Sequence, residues 1–256
     1  MKNKYALLLC GGTGSRMGDL TKNTPKPLLK VKDKPIIWYA FNKLINSGFS
    51  NIILPLGYKG DLIKKYLQSN FGDKCNLFFE ETGEFSPISQ RIGLVKHLIP
   101  DNESFFILNS DTIFDFDIEK MFNYHIETKS LVTLSTTQIV SPWGIMTIKD
   151  DKLISFDRER KVQTLYSSSG VKGLINSGLA WIDKSALNLI DLFSDIDFET
   201  ELFKKVILLD KAVYYEIEGL WIPIDTPKDL ALVNLNDEFG NQTVKILICF
   251  NSIFLF

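Results

Sequence analysis

The chain has 256 residues, enough for one large α/β domain or for one domain with a small appendage. Its 29 Lys and Arg nearly balance 31 Asp and Glu, so it lacks the global field that draws nucleic acid or a membrane surface, and a small-molecule substrate is expected. The 3 cysteines, Cys10, Cys75 and Cys249, are scattered and remote in sequence from His97 and His125, which argues against a disulfide framework or a zinc site and fits a reducing, cytoplasmic compartment.

Tyr5–Cys10 is a short apolar run ending at Gly11-Gly12. It falls below the ~7–15 residues of a signal-peptide core and reads as a buried first strand. After a loop over 11–34, Pro35–Ser47 has helical spacing in Ile36, Ala40 and Leu44 and in Ile37, Phe41 and Ile45, and stops at Gly48. Asn51–Pro55 is a second buried strand, Asp61–Phe71 a helix, Asn76–Glu80 a third strand and Ser89–Leu98 a helix. Ser104–Asn109 reads as a central strand that delivers Ser110-Asp111 to its carboxyl end, where open α/β sheets bind ligands. Asp117–Glu127 is a helix with Asp117 as N-cap.

The second half carries short strands at Leu131–Thr136, Ile145–Ile148, Leu153–Phe156, Leu179–Ile182 and Ala212–Ile217. Its helices are expected at Ser185–Leu192, Glu199–Leu208 and Thr226–Asn236. Arg158–Lys172 reads as a mobile loop. Alternating strands and helices predict a parallel sheet with crossover helices. With no repeat or linker, residues 1–240 are expected to form one domain, followed by an apolar tail over 241–256. The tail's run Ile246–Phe256 is shorter than the ~20 residues a membrane span needs, and it reads as an edge strand, an oligomer contact or a disordered end.

Gly11-Gly12-Thr13-Gly14-Ser15-Arg16 directly follows the first strand. Closely spaced glycines let backbone N–H groups converge on an anion. The dinucleotide fingerprint is excluded, because Met17 stands where its third glycine belongs, and no Gly-Lys-Ser/Thr marks a P-loop. Pro25 and Pro27 restrict the backbone around Lys26 and present this lysine in one direction. A glycine nest with one guanidinium and one ammonium suits a triphosphate.

At these residues the sequence resembles the nucleoside-triphosphate-dependent sugar nucleotidyltransferases, whose G-G-x-G-x-R and P-K-P stand here as Gly11–Arg16 and Pro25-Lys26-Pro27. Lys34-Pro35-Ile36-Ile37, Ser110-Asp111, Trp143-Gly144, Asn176-Ser177-Gly178 and Trp221 to Thr226 extend the likeness along residues 5–236. Gly57-Tyr58-Lys59-Gly60, Glu81-Thr82-Gly83-Glu84 with Arg91, and Gly219 to Thr226 look most like the glucose-1-phosphate cytidylyltransferases, which makes CTP the first choice of nucleotide. Two stretches depart from the pattern. The family's Glu-Lys-Pro is replaced by Phe156-Asp157-Arg158-Glu159-Arg160-Lys161, and Ser89-Gln90 stand where the cytidylyltransferases have Gly-Gly.

The resemblance implies a single Rossmann-like, mixed but mainly parallel sheet flanked by helices, of the glycosyltransferase-A-like kind, with extra short strands in the second half. It implies transfer of a nucleotidyl group from an NTP to a sugar 1-phosphate or similar small phosphate, with pyrophosphate released. Arg16, Lys26, Asp111 and Asp225 would be catalytic, and Asp111 and Asp225 would hold Mg²⁺. Nucleotide binding would involve Leu9, Gly11, Gly12, Thr13, Gly14, Arg16, Lys26, Thr82, Gly83, Arg91 and Asp111. The acceptor would meet Gly144, Glu159, Arg160, Asn176 and Glu201, with Arg160 as a phosphate ligand. A homo-oligomer is compatible with the family; nucleic-acid and membrane partners are not expected. Alternatives are use of GTP, UTP or dTTP, or a regulator that binds nucleotide or sugar phosphate without turnover. Locally, Asp111 could instead cap a turn, Asp225 could be the N-cap of the last helix, and Glu201 could be a solvated helix residue.

Overall fold

A computed structural model describes residues 4–137, 145–149, 152–157 and 174–236. The expectations for Gly144, the loop Arg158–Lys172 and the tail 241–256 lie outside the described residues. In chain order the strands are β1 (Lys4–Leu9), β2 (Lys30–Val31), β3 (Lys34–Pro35), β4 (Phe49–Leu56), β5 (Asn76–Glu81), β6 (Ser104–Asn109), β7 (Thr112–Asp115) and β8 (Val132–Thr137). They continue as β9 (Ile145–Lys149), β10 (Lys152–Asp157), β11 (Ile175–Asp183), β12 (Ala212–Glu216) and β13 (Leu220–Pro223). The α-helices are α1 (Ile36–Asn46), α2 (Gly60–Phe71), α3 (Ile88–Val95), α4 (Ile118–Glu127), α5 (Phe198–Leu208) and α6 (Pro227–Leu235).

Among the described residues seven strands form the main sheet in the order β12-β8-β11-β6-β1-β4-β5. Only β11 runs against the others, pairing antiparallel with both β6 and β8. β1 is central and parallel to β4 on one side and β6 on the other. The chain therefore moves outward from β1 to β4 and β5, then returns to place β6 on the opposite flank. Beyond the carboxyl ends of β1 and β6 lies the crevice that such a reversal opens.

Burial on both faces explains the apolar runs. Ala6, Leu8 and Cys10 point into the core under α1, α2 and α4, whereas Leu7 points into the core under α3 and α5. A third cluster packs Met17, Leu29 and Val31 against Ile113, Ile222, Ile224 and Val233, and so seats α6 and the two-stranded β7–β13 ribbon beside the glycine segment. Asp117 caps α4 as expected, accepting a 2.9 Å bond from the Lys120 amide.

Some boundaries differ from the sequence reading. The helix expected at Ser185–Leu192 is a 3₁₀ segment at Lys184–Leu189, and that at Ser89–Leu98 is α3 followed by a 3₁₀ turn, Lys96–Leu98. The loop 11–34 contains two 3₁₀ segments, Ser15–Thr21 and Lys26–Leu28, and the β2–β3 ribbon. His125 is a core residue that meets Ser104, Ser130 and Thr133 hydroxyls; burial lowers its pKa to about 4 and keeps it neutral.

Trp181 is fully buried on β11, its ring 5.7 Å from that of Phe49, 5.3 Å from Phe106 and 4.6 Å from Phe122. Its indole N–H has no hydrogen-bond partner among the described residues. Trp181→Ala should therefore cost about 3–5 kcal/mol in urea denaturation. Trp181→Phe should cost clearly less, since it keeps much of the packing and removes an unpaired donor.

Candidate active site

The site grows from the end of β1. Gly14 has φ +65°, in the left-handed region, and begins the 3₁₀ segment that carries Arg16. The amides of Gly12, Thr13 and Gly14 make no hydrogen bond among the described residues, as a backbone cradle for an anion requires. Thr21 secures the turn by donating to the carbonyls of Gly14 and Gly18, and the Tyr58 hydroxyl donates to Thr21 O at 2.9 Å.

Lys26 lies in the short 3₁₀ turn between its two prolines and is 7% exposed. Its ammonium donates to Asp111 Oδ2 at 2.6 Å and to Asp225 Oδ1 at 3.1 Å. Arg16, mostly exposed, reaches the other oxygen of Asp225 at 3.0 Å. These partners of Lys26 lie 85 and 199 residues away in sequence. Backbone pairing assembles them. β7 and β13 are antiparallel with Thr112 opposite Pro223, and the Ile224 amide continues the ladder to Asp111 O at 3.0 Å. Ser110 N donates to Leu9 O at 3.1 Å and so ties Asp111 to the glycine end of β1.

Asp225 is not the helix cap. Thr226 caps α6 through a reciprocal box with Asp229, which also accepts from the Asp225 amide at 3.0 Å. The Asp225 carboxylate is thereby left for Lys26 and Arg16.

A cavity of about 560 Å³ lies between the glycine segment, the 84–88 segment and the end of β6. Leu9, Gly11, Gly12, Thr13, Gly14, Arg16, Lys26, Arg91 and Asp111 of the expected nucleotide set line it. Arg91 is 4% exposed and its guanidinium is committed to the wall. It donates to Ser86 O at 3.0 Å, Leu56 O at 3.3 Å, Thr82 Oγ1 at 2.7 Å, Gly11 O at 3.1 Å and Glu84 O at 3.0 Å. Thr82 is buried and its hydroxyl donates a hydrogen bond to Leu56 O at 2.7 Å. Arg91 and Thr82 thus shape the pocket by holding the backbone carbonyls of Gly11, Leu56, Glu84 and Ser86, a role that the motif alone did not reveal. Gly83 (φ +91°) turns the chain beside them. Burial pushes the Cys10 thiol up to about 12, so this cavity residue is no nucleophile.

Where the sequence places acceptor contacts, Asn176 donates to Glu199 Oε2 at 3.1 Å and accepts from the Gly178 amide at 3.0 Å. Both flank a second, small cavity that shares Leu9, Ile88 and Asn109 with the large one. The carboxylate bonded to Asn176 is Glu199. Desolvation raises the Glu199 pKa, Asp197 adds to the rise, and the Asn176 bond opposes it. Glu201 lies in the first turn of α5, its amide bonded to Asp197 O. Glu159 and Arg160 lie outside the described residues. The reading also missed Asn109, a polar end to the buried run Phe105–Leu108 that could have marked it.

A family model described as Nucleotidyl transferase matches residues 5–237. A Bacillus subtilis (strain 168) protein named as a probable glucose-1-phosphate cytidylyltransferase is 28% identical over 261 residues, which cover 94% of this chain and 99% of that protein. A mannose-1-phosphate guanyltransferase of Hypocrea jecorina is 28% identical over 230 residues, 87% of this chain but 61% of the longer relative. The fold matches a Bacillus anthracis crystal structure, named provisionally as a glucose-1-phosphate thymidylyltransferase, with a TM-score of 0.71 at 22% identity, covering 90% of this chain and 93% of that one. It also matches HddC from Yersinia pseudotuberculosis complexed with GMP-PN, with a TM-score of 0.63 at 21% identity over 90% of this chain and 98% of that one.

The pocket wall makes a discriminating stability test. A Cβ at Gly57 would run into the Gly11 carbonyl and the Arg91 guanidinium and stand 2.9 Å from Gly83 O, whereas one at Gly12 meets nothing within 4 Å. Gly57→Ala should lower stability by about 1–3 kcal/mol in urea titration. Gly12→Ala should stay within about 0.5 kcal/mol of wild type.

Proposed function

The chain belongs to the nucleotidyl transferase family and is a nucleotidyltransferase, and from that premise we propose that it joins CTP to a sugar 1-phosphate or similar small phosphate and releases pyrophosphate. The observation that carries the reading is the meeting of Lys26 with Asp111 and Asp225 at one end of the glycine cradle. A regulator that merely bound nucleotide would have no use for a buried ammonium set between two carboxylates. CTP is favoured over GTP, UTP and dTTP by the three cytidylyltransferase-like stretches and by the Bacillus subtilis relative's name.

An acceptor phosphate oxygen attacks the α-phosphorus of the triphosphate. One P–O bond forms, the bond to the β-phosphate breaks, and pyrophosphate leaves with its electron pair. A phosphate monoester is mostly dianionic near neutral pH, its second pKa being ~6, so the attacking oxygen needs no general base. The barrier is repulsion between two anions, and catalysis consists of positioning and neutralisation. The free amides of the cradle and Arg16 take the β- and γ-phosphates and the departing charge. Lys26 spans the α-phosphate and the acceptor phosphate.

Asp111 and Asp225 would hold Mg²⁺. The donor set fits: this ion takes one or two carboxylates and completes its shell with substrate phosphates and water, and no cluster of three or more His, Cys, Asp or Glu suited to an all-protein site occurs among the described residues. When bound, the ion would neutralise phosphate charge at the point of attack. Asn176 and Glu199, with Gly144, Glu159, Arg160 and Glu201 from the family pattern, are the proposed acceptor contacts.

The test is a pyrophosphate-release assay with CTP, UTP, dTTP, GTP and ATP, each against a panel of sugar 1-phosphates. Wild type should turn over with CTP. Asp111→Asn should abolish release while keeping the far-UV circular dichroism of wild type, and Lys26→Ala should lose about 10³-fold in rate. Full activity of Asp111→Asn, or no release by wild type with any pair, would refute the proposal.

A further inference from the structure

Phe85 is 84% exposed, the second most exposed large apolar side chain among the described residues after Leu208, yet it lines the large cavity. An exposed aromatic on a surface loop is ordinarily free to move with its backbone. This one is not. The Arg91 guanidinium takes the carbonyls on either side of it, Glu84 O and Ser86 O, each at 3.0 Å. The Ser86 hydroxyl reaches back to Thr82 O, and Pro87 leads directly into α3. The ring thus stands on a fixed support at the edge of the cavity with its apolar surface uncovered.

The cavity has a direction. At one end Gly14 packs against Lys26, whose Cβ would be 2.9 Å from a Cβ on the glycine. At the other end Gly11 packs against the Arg91 guanidinium. The glycine cradle therefore runs from the phosphate end, with Lys26, Arg16 and the two aspartates, to the Arg91 wall that carries Phe85. A triphosphate seated at the first end leaves its nucleoside at the second.

We propose that Phe85 is the platform on which the nucleobase stacks, so that this loop supplies affinity for any base through its π-face and leaves the choice among bases to other groups. The inference rests on the nucleotide-binding reading given above and adds to it a residue outside the family motifs. A ring with two side-chain torsions on a pinned backbone loses little entropy on binding, and base–aromatic stacking is strong enough to matter.

The experiment measures equilibrium binding of a non-hydrolysable CTP analogue and of inorganic tripolyphosphate by calorimetry, in wild type, Phe85→Ala and Phe85→Trp. Tripolyphosphate carries the phosphates without a base. Phe85→Ala should weaken the nucleotide roughly tenfold to a hundredfold and leave tripolyphosphate unchanged, and Phe85→Trp should restore nucleotide binding. Equal nucleotide affinity in wild type and Phe85→Ala would overturn the platform while the functional reading stands. Parallel weakening of both ligands would also overturn it, because the effect would then lie in the phosphate cradle. Failure of wild type to bind the nucleotide at all would overturn both.

Discussion

The site depends on one buried ammonium. Lys26 is almost removed from solvent, and a lysine in that position is tolerated only when charges of opposite sign meet it. Asp111 and Asp225 do so from the ends of two paired strands, and each would repel the other without a cation between them. The ion cluster thus joins three distant parts of the chain: the turn between Pro25 and Pro27, the exit of β6 and the exit of β13. The same charges that satisfy one another in the free protein are those proposed above to meet phosphate and a divalent ion.

A second organising group is Arg91. Its five bonds gather the ends of β1 and β4 and the segment after β5 into one rigid wall. The carbonyls of Glu84 and Ser86 are satisfied by this side chain, those of Gly11 and Leu56 also accept the Tyr58 and Thr82 amides, and burial of the guanidinium is compensated by the bonds it makes. Close approach at Gly11 and Gly57 follows directly, since a methyl group at either position would occupy the space of the guanidinium. Polar satisfaction and pocket shape are the same feature here.

The sequence made the family and the parallel core more legible than the geometry of the site. The glycine run, the proline-flanked lysine and Ser110-Asp111 after a continuous apolar strand are local signals, and each sits where it was expected. The parallel core was legible because strands buried on both faces write unbroken apolar runs. The β7–β13 pairing had no such signal, since two four-residue strands more than 100 residues apart carry no periodicity that points to one another, yet it is this pairing that brings the aspartates together. Thr226-Pro227-Lys228-Asp229 did hold a readable capping pattern, which releases Asp225 from the cap. That Asn176 bonds Glu199 follows from helix phase, which composition cannot fix. The role of Arg91 was hidden because a motif names a residue and not the atoms it touches.

The most direct measurement is the anomalous diffraction signal of Mn²⁺ in crystals grown with a non-hydrolysable CTP analogue. The account predicts the ion in contact with carboxylate oxygens of both Asp111 and Asp225, and the Lys26 ammonium turned onto phosphate oxygen. An ion touching neither aspartate, or a nucleotide whose phosphates lie away from Gly12–Arg16 and Lys26, would contradict it.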